Sequence, residues 1–303
     1  MEKYTNWRDK GTGIAPFQPP TTDKESIFFN GSIVINFVNL ILYIVRCVLL
    51  LPLVILTPFV NLKILFLTGL TNGRVKIDFQ VQGVKRSVLN KNPQKYHLQK
   101  GQIYIVNYCS VISGVILQYI TNDNNSIKYI VPNESTKELY ELTLKQFIDF
   151  SMSGKSLDVT ENYGTLIKEV TPEQLKKYTW IIFGEGTCSN GKSILPFQIN
   201  KSLIETVLLG EENSDVDIIP ITIKVNNTLV TPLGGSKIQY LMRLVIKYKC
   251  IAKVRIHQIH KLSKENDALD SIREELNDGD KYKLVSKTLD IKEKRKFADN
   301  FCN

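Results

Sequence analysis

Charged and apolar residues fall into separate blocks along this chain, and the first boundary lies near residue 30. Residues 1–30 are polar and proline-containing, which predicts a leader without a packed core. Residues 31–70 are apolar and are broken by charge only at Arg46 and Lys63. Each uncharged run is shorter than the roughly 20 residues that a helix needs to cross a bilayer. The block therefore predicts a membrane anchor that is unusual in form.

Two forms of this anchor fit the pattern. Two short helices that turn near Pro52 and Pro58 would enter one leaflet as a hairpin, whereas a single span would place Arg46 within the bilayer. We favour the hairpin, because a mid-helix proline and a buried arginine are both costly. The apolar run begins too late to be a cleavable signal peptide, and the positive charges that follow it place the main domain in the cytosol.

From residue 74 onward, short strand patterns alternate with helical patterns. Strands are predicted at 75–81, 102–107, 127–131, 178–183, 216–225 and 253–257, and helices at 137–150, 171–177 and 267–276. Thr171 is the expected cap of its helix, with Pro172 at the first helical position. Strands separated by helices predict an α/β fold with a largely parallel central sheet flanked by helices, behind the N-terminal apolar membrane anchor.

These blocks divide the chain into four parts. The predicted parts are a polar leader (1–30), a membrane-embedded hairpin or single span (31–70), a main domain (71–265), and a polar helix with a basic tail (266–303). The main domain includes one further apolar stretch with basic residues, at 238–245. The Lys-rich end beyond residue 279 is expected to be a solvated tail.

Composition narrows the classes of function. An excess of 39 Lys and Arg over 30 Asp and Glu gives a net charge of +9, which favours anionic surfaces such as nucleic acid or acidic lipid headgroups. The five cysteines are scattered and have no ligand-like spacing to the three histidines. We therefore expect a reducing compartment and no metal site.

The chemistry-bearing segment follows the predicted strand at 178–183. The strand runs into the Gly-rich sequence GEGTCSNGKSILPF, and a turn of this kind frees backbone N–H groups for an anion. Gly186, Gly191, Lys192 and Ser193 fit the P-loop pattern, but a P-loop needs a helix beginning at the lysine, and Pro196 follows too closely. A nucleotide-binding P-loop is therefore the less favoured interpretation.

The same segment resembles the glycerolipid acyltransferase family. That family has a block of the form F-P-E-G-T-R-S followed by a Gly and a Pro-Phe pair, a later strand with a central proline, and an opening block N-H-x-S-x-x-D. The matching residues here are Phe183, Glu185, Gly186, Thr187, Ser189, Gly191, Pro196 and Phe197, then the strand at 218–223, and the segment 107–113. The resemblance covers about residues 75 to 260 and is strongest to fungal lysophosphatidic acid acyltransferases that use oleoyl-CoA.

This resemblance implies a reaction and a location. It implies acyl-CoA-dependent acylation of lysophosphatidic acid to phosphatidic acid, with acyl-CoA as co-substrate and no cofactor. The implied partners are acyl-CoA, a lysophospholipid and a membrane or lipid-droplet monolayer, with no nucleic acid. The implied location is the endoplasmic reticulum membrane and lipid droplets. The residues that would bind the substrate phosphate are Gly186, Thr187, Ser189 and Lys192.

The chain departs from the family pattern at the catalytic positions. Tyr108 and Ser113 stand where the family has its His base and its Asp, and Cys188 stands where it has an Arg. A phenol, with a pKa near about 10, needs a strong downward shift to act as a base. The candidate catalytic residues are therefore Tyr108, Ser113 and Glu185, although Glu185 has an alternative role in holding the turn.

Three alternatives to this assignment remain open. His97, eleven residues before Tyr108, would be a displaced base if the fold brought it near. Cys109 or Cys188 would be a nucleophile if an adjacent base activated it. The domain would otherwise be a catalytically inactive lipid-binding or scaffold protein at lipid droplets.

Overall fold

The structure is a computed structural model that describes most of the chain outside the predicted anchor. The described residues are 2–20, 41, 44, 45, 48, 75–123, 126–153, 159–205, 207, 215–233, 240, 250–263 and 268–301. The anchor predicted at 31–70 lies outside them except for four helical residues, and the apolar stretch at 238–245 does so except for residue 240. Within the described chain, no helix is both long enough and apolar enough to cross a bilayer.

The described strands form a mixed nine-stranded sheet and a separate two-stranded sheet. The strands are β1 Val75–Val81, β2 Ile103–Val106, β3 Ile127–Pro132, β4 Leu139–Leu142, β5 Thr165–Ile167, β6 Thr179–Ile182, β7 Ser193–Ile194, β8 Asp215–Val225, β9 Cys250–Ile256, β10 His260–Ser263 and β11 Lys283–Leu284. In the large sheet the order is β1-β9-β8-β2-β6-β3-β4-β5, and β10 also pairs with β8, while β7 and β11 form the small sheet.

The centre of the sheet is parallel, as the sequence predicts, but its flanks are not. Strands β8, β2, β6 and β3 run parallel, whereas β4, β5, β9 and β10 join antiparallel and β1 is parallel to β9. All four residues of β2 are buried, because neighbours flank the strand and helices cover both faces. Since β2, β6 and β8 are parallel, their carboxyl ends lie at one edge of the sheet. The loops after β2 and β6 therefore become neighbours.

Helices cover both faces of the sheet. They are α1 Arg86–Lys91, α2 Ile112–Tyr119, α3 Leu144–Ser151, α4 Pro172–Lys177, α5 Lys201–Ile204, α6 Leu269–Glu275 and α7 Ile291–Phe301. Apolar residues of α2 and α3 enter one core, and those of α6 enter the core on the opposite face. The predicted cap of α4 is confirmed: the Thr171 hydroxyl accepts a hydrogen bond from the Gln174 N–H, and Pro172 begins the helix.

The helix predicted at 137–150 is wrong in its first part. Leu139–Leu142 is strand β4, which pairs antiparallel with β3. Helix α3 begins only at Leu144, after Thr143 forms a capping box with Gln146. The side chains of Leu139 and Leu142 are fully buried when the segment extends the sheet. Tertiary pairing therefore overrides the approximate helical spacing that the sequence offers.

The two chain ends also differ from expectation, because they pack together. Phe17 and Phe297 are fully buried, and both belong to a cluster that Tyr4 and Trp7 join. The Phe297 ring centroid lies 5.4 Å from those of Tyr4 and Trp7 and 6.0 Å from that of Phe17. The prediction of a leader without a packed core is therefore wrong for residues 2–20. The prediction of a solvated tail is likewise wrong, because β11 pairs with β7 and α7 is half buried.

Candidate active site

The loop after β2 is fixed by polar contacts to the neighbouring strand β8 and to the segment that follows that strand. The Asn107 side-chain amide donates to the Ile223 carbonyl at 3.0 Å and accepts from the Ile223 N–H at 2.6 Å. Two residues further along, the Cys109 carbonyl accepts from the Thr231 N–H at 3.1 Å. Both ends of this short loop are therefore held, and Tyr108 lies between them.

The loop after β6 joins the first loop through the backbone of Tyr108. The Tyr108 N–H donates to Glu185 Oε1 at 2.6 Å, and the Tyr108 carbonyl accepts from the Ser189 N–H at 2.7 Å. The other carboxyl oxygen, Glu185 Oε2, accepts from the Leu195 N–H at 2.7 Å. Glu185 thus ties three backbone segments together, which fits its alternative role in holding the turn.

The Glu185 carboxyl group is fully buried and has two cations near it. Burial raises its pKa to about 8, although the two N–H donors and the positive charges of Arg273 and Lys294 act in the opposite direction. The Arg273 guanidinium donates to the carbonyls of Leu195, Ile194 and Val285. One carboxyl group therefore lies near two buried cations, and the cluster carries excess positive charge as long as both cations are protonated.

The second of these cations is Lys294, which lies on helix α7 beneath the turn. Its side chain is 1% exposed, and its ammonium donates to Thr187 Oγ1 at 2.5 Å and to the Cys188 carbonyl at 2.8 Å. Burial lowers its pKa to about 8, which leaves the ammonium mostly protonated at neutral pH. The C-terminal helix α7 therefore contacts and supports this turn.

Tyr108 has the surroundings of a core residue. Its side chain is fully buried, its hydroxyl hydrogen-bonds with Ser151, and its ring lies 5.3 Å from that of Phe147 and 4.8 Å from that of Phe183. Burial raises the pKa of the Tyr108 phenol well above its ordinary value. In this conformation the phenol keeps its proton, which favours packing over proton abstraction. Its catalytic role stays a prediction.

Ser113 and the two alternative nucleophiles are buried, and the alternative base lies at the other end of β2. The Ser113 side chain is fully buried in the first turn of α2. The thiols of Cys109 and Cys188 are also buried, and burial raises their pKa values to about 12 and about 11. Neither cysteine has the lowered pKa of an activated nucleophile. His97 packs edge-on against Phe79 before the amino end of β2, while Tyr108 follows its carboxyl end.

The predicted phosphate-binding residues are only partly brought together. Gly186, Thr187 and Ser189 lie in one buried turn, whereas the Lys192 side chain is exposed. Gly186 has a φ of +67°, and a Cβ there would lie 2.9 Å from Ile291 of helix α7. The Ser189 hydroxyl donates to the Ser193 carbonyl at 2.8 Å. Their binding of phosphate stays a prediction.

The P-loop interpretation finds no geometric support in this segment. A P-loop needs a helix that begins at its lysine, but Lys192 is followed by strand β7, Ser193–Ile194. In the part of the chain that the structure describes, no cluster of His, Cys, Asp or Glu side chains is arranged to hold a metal ion. The side chains on and beneath these loops include carboxyl, hydroxyl, thiol and ammonium groups.

Sequence reasoning missed Lys294 and Arg273. Lys294 falls among several other lysines and arginines in the tail, so its residue type gave no signal. Its spacing offered one: Ile291, Lys294, Phe297 and Ala298 are the buried positions of α7, so the lysine occupies the apolar stripe of an amphipathic helix. A charged residue in such a stripe indicates a buried polar partner.

Comparison with known proteins identifies relatives along almost the whole chain. The chain is 34% identical over 316 residues to lysophosphatidic acid:oleoyl-CoA acyltransferase 1 of Saccharomyces cerevisiae, covering 99% of this chain and 97% of that protein. It is 27% identical over 207 residues to a putative lysophosphatidic acid:oleoyl-CoA acyltransferase of Schizosaccharomyces pombe, covering 65% of this chain and 67% of that protein. No family model matches the chain. No solved structure matches it either.

Proposed function

Because this chain belongs to the family of fungal lysophosphatidic acid:oleoyl-CoA acyltransferases, we propose that it transfers an acyl group from acyl-CoA to lysophosphatidic acid and so forms phosphatidic acid. The observation that carries the proposal is the full-length similarity, since it includes both loops at the carboxyl edge of the sheet. Glu185 links these two loops through the Tyr108 N–H. These two loops are the location that we propose for the reaction.

The proposed reaction balances without a redox partner or a metal. The acceptor hydroxyl oxygen attacks the thioester carbonyl, a C–O ester bond forms and the C–S bond breaks. The hydroxyl proton passes to a base, and the CoA thiolate leaves and takes up a proton. Burial raises the pKa of Glu185 to about 8, but both of its carboxyl oxygens accept backbone N–H groups, so its catalytic role stays a prediction. The catalytic roles of Tyr108 and Ser113 stay predictions. So do the phosphate contacts of Gly186, Thr187, Ser189 and Lys192.

The decisive experiment measures acyl transfer by the full chain. Purified protein in detergent would receive labelled oleoyl-CoA and either lysophosphatidic acid or a lysophospholipid with a larger headgroup. We expect labelled phosphatidic acid with lysophosphatidic acid as the preferred acceptor. Absence of phosphatidic acid above a heat-inactivated blank would overturn the proposal. Preference for another acceptor would support acyl transfer but would contradict lysophosphatidic acid as the acceptor.

A second candidate function is a lipid-binding scaffold without catalysis. The observation that favours it is the buried Tyr108 hydroxyl, which bonds with Ser151 at the position where a base is expected. On this alternative the protein would bind lysophosphatidic acid or acyl-CoA without turning them over. Equilibrium binding measured on the same preparation as the transfer assay separates binding from catalysis.

We further propose that the protein works at the endoplasmic reticulum membrane and at lipid droplets, with its main domain in the cytosol. The support comes from residues 31–70, which carry little charge, and from the positive charges after them. Ile41, Ile44, Val45 and Val48 are helical, exposed and spaced along one helix face. Protease access to the C-terminal helix in sealed microsomes tests the orientation.

A further inference from the structure

A cleft of about 290 Å³ lies on the polar face of strands β1, β8 and β9. The turn after helix α6 forms its other wall. Its lining includes four cationic side chains, one carboxylate and one aromatic ring: Lys224, Lys253, Arg255, Lys281, Asp278 and Tyr282. We call these six residues and the space between them the basic cleft. Its volume is near the lower end of small-molecule sites, about 300 Å³.

Positive charge in the basic cleft exceeds negative charge. Asp278 is almost buried and forms ion pairs with both Arg255 and Lys281, the latter at 2.9 Å. One carboxylate thus serves two of the four cations. In the part of the chain that the structure describes, neither Lys224 nor Lys253 has an ion-pair partner. Three positive charges are therefore left over, four cations against one carboxylate.

The strand register makes this excess costly. Lys224 on β8 lies directly opposite Lys253 on β9 in an antiparallel pair, and like charges in that arrangement repel. On the other side of Lys253 the register partner is Asp78, whose carboxylate already accepts from Arg86 at 2.6 Å. An anion seated between the two lysines would remove the repulsion. The one carboxylate of the cleft, Asp278, is already paired with Arg255 and Lys281 and does not fill this place.

The basic cleft and the candidate active site share one hydrogen-bond acceptor, the Ile223 carbonyl. The Tyr282 hydroxyl and the Asn107 side-chain amide both donate to the Ile223 carbonyl, each at 3.0 Å. Tyr282 lines the cleft, and Asn107 precedes Tyr108 in the loop after β2. One ligand could therefore place its anionic end in the cleft and its other end near the loops.

We propose that the basic cleft binds the phosphate groups of the nucleotide part of acyl-CoA. This inference rests on the proposed function, which makes acyl-CoA the acyl donor. The ligand must be polyanionic to match three uncompensated charges, and Arg255 offers the planar donor set that suits phosphate oxygens. Lys224 and Lys253 contact the phosphates from opposite strands. The thioester end then extends toward the loop that contains Tyr108.

Binding of CoA to the purified full chain tests this assignment without requiring turnover. Titration calorimetry would compare CoA with 3′-dephospho-CoA for the wild type, for Lys224→Gln and Lys253→Gln, and for the double variant. Lys261→Gln is the matched control, because it removes an exposed lysine from β10 outside the cleft. We expect each cleft substitution to weaken CoA binding by about fivefold to tenfold, and the control to change it less than twofold.

Further readouts separate this role from damage to the fold. The ligand-free double variant should melt at or above the wild-type temperature, because the repulsion between Lys224 and Lys253 is gone. The preference for CoA over 3′-dephospho-CoA should shrink in the double variant. Equal CoA affinity in the double variant and in Lys261→Gln would overturn the proposal, as would a wild type that binds no CoA.

Two more outcomes distinguish the cleft from the proposed function. If the wild type binds CoA through the cleft but forms no phosphatidic acid, the cleft assignment stands and the enzymatic function fails. If acyl transfer proceeds with an unchanged KM for acyl-CoA in the double variant, the cleft assignment alone fails. Vesicles that contain phosphatidic acid form a separate arm: loss of vesicle binding with unchanged CoA binding would assign the cleft to lipid headgroups instead.

Discussion

The Lys294 ammonium lies 2.5 Å from Thr187 Oγ1, although 107 positions separate the two residues in sequence. It also donates to the next carbonyl, that of Cys188, at 2.8 Å. Helix α7 therefore supports the turn that carries the family-like residues. The contact also explains why a basic end of the chain is not a solvated tail.

Replacement of Lys294 by Met should destabilise the fold. It leaves the Cys188 carbonyl and the Thr187 hydroxyl without their buried donor, at an expected cost of about 1–3 kcal/mol. Urea unfolding of the purified protein measures the change. Lys296→Met is the matched control, since Lys296 lies on the same helix and pairs at the surface with Glu293. Equal free energies of unfolding for the two variants would contradict the structural role of Lys294.

Glu185→Gln should be destabilising even though the side chain keeps its size. Both carboxyl oxygens of Glu185 accept backbone N–H groups, from Tyr108 and Leu195, and an amide nitrogen cannot accept. One buried N–H then loses its acceptor, for about 1–3 kcal/mol. Acyl transfer should fall as well, because the two loops are less firmly held. A variant with wild-type stability would show that neither N–H depends on the carboxylate.

The two buried groups also predict how stability depends on pH. The folded state raises the pKa of Glu185 from 4.5 to about 8, so it binds an extra proton between these values, and this contribution to stability falls as pH rises. It lowers the pKa of Lys294 from 10.5 to about 8, so between these values the unfolded chain holds the extra proton and stability rises with pH.

The pair should therefore give a stability minimum near pH 8. Unfolding free energies of the wild type, Glu185→Gln and Lys294→Met at pH 5, 8 and 10 isolate each contribution by difference. Glu185→Gln should remove part of the fall below pH 8, and Lys294→Met part of the rise above it. Parallel pH profiles for all three proteins would exclude this assignment.

Tyr108→Phe separates the two roles open to this residue. The ring contacts with Phe147 and Phe183 are kept, and the hydrogen bond with Ser151 is lost. We expect turnover within about threefold of wild type and a loss of about 1 kcal/mol in stability. Phosphatidic acid formation and thermal melting measure the two quantities. Abolished turnover in a variant that melts normally would instead identify the phenol as the base.

Phe297→Ala should loosen both ends of the chain together. Phe297 is fully buried against Tyr4, Trp7 and Phe17, and truncating such a residue costs about 3–5 kcal/mol. A double-mutant cycle with Phe17→Ala should give a coupling of about 1 kcal/mol, since the two rings are neighbours. Val88→Ala, at an exposed position, serves as the control. Additive losses would mean that the leader and α7 do not share a core.

Local patterns in the sequence were sufficient for several elements. The alternation at 75–81 predicted β1, and the β-branched run at 216–225 predicted β8. Thr171 and Pro172 predicted the start of α4, because a capping box needs only residues within one turn. The residues at 183–189 likewise predicted the acyltransferase family, and the full-length similarity confirms it. All these signals are carried by residues close together in the chain.

Tertiary structure alone decided what these local signals omit. Leu139–Leu142 became a strand because β3 offered it an edge, which no local propensity encodes. Lys294 became buried because Thr187 and Cys188 lie more than one hundred positions away in sequence but adjacent in the fold. Lys224 and Lys253 face each other only through the pairing of β8 with β9. Contacts between distant segments set the burial and charge of each of these residues, so their roles could not be predicted from their own sequence neighbours.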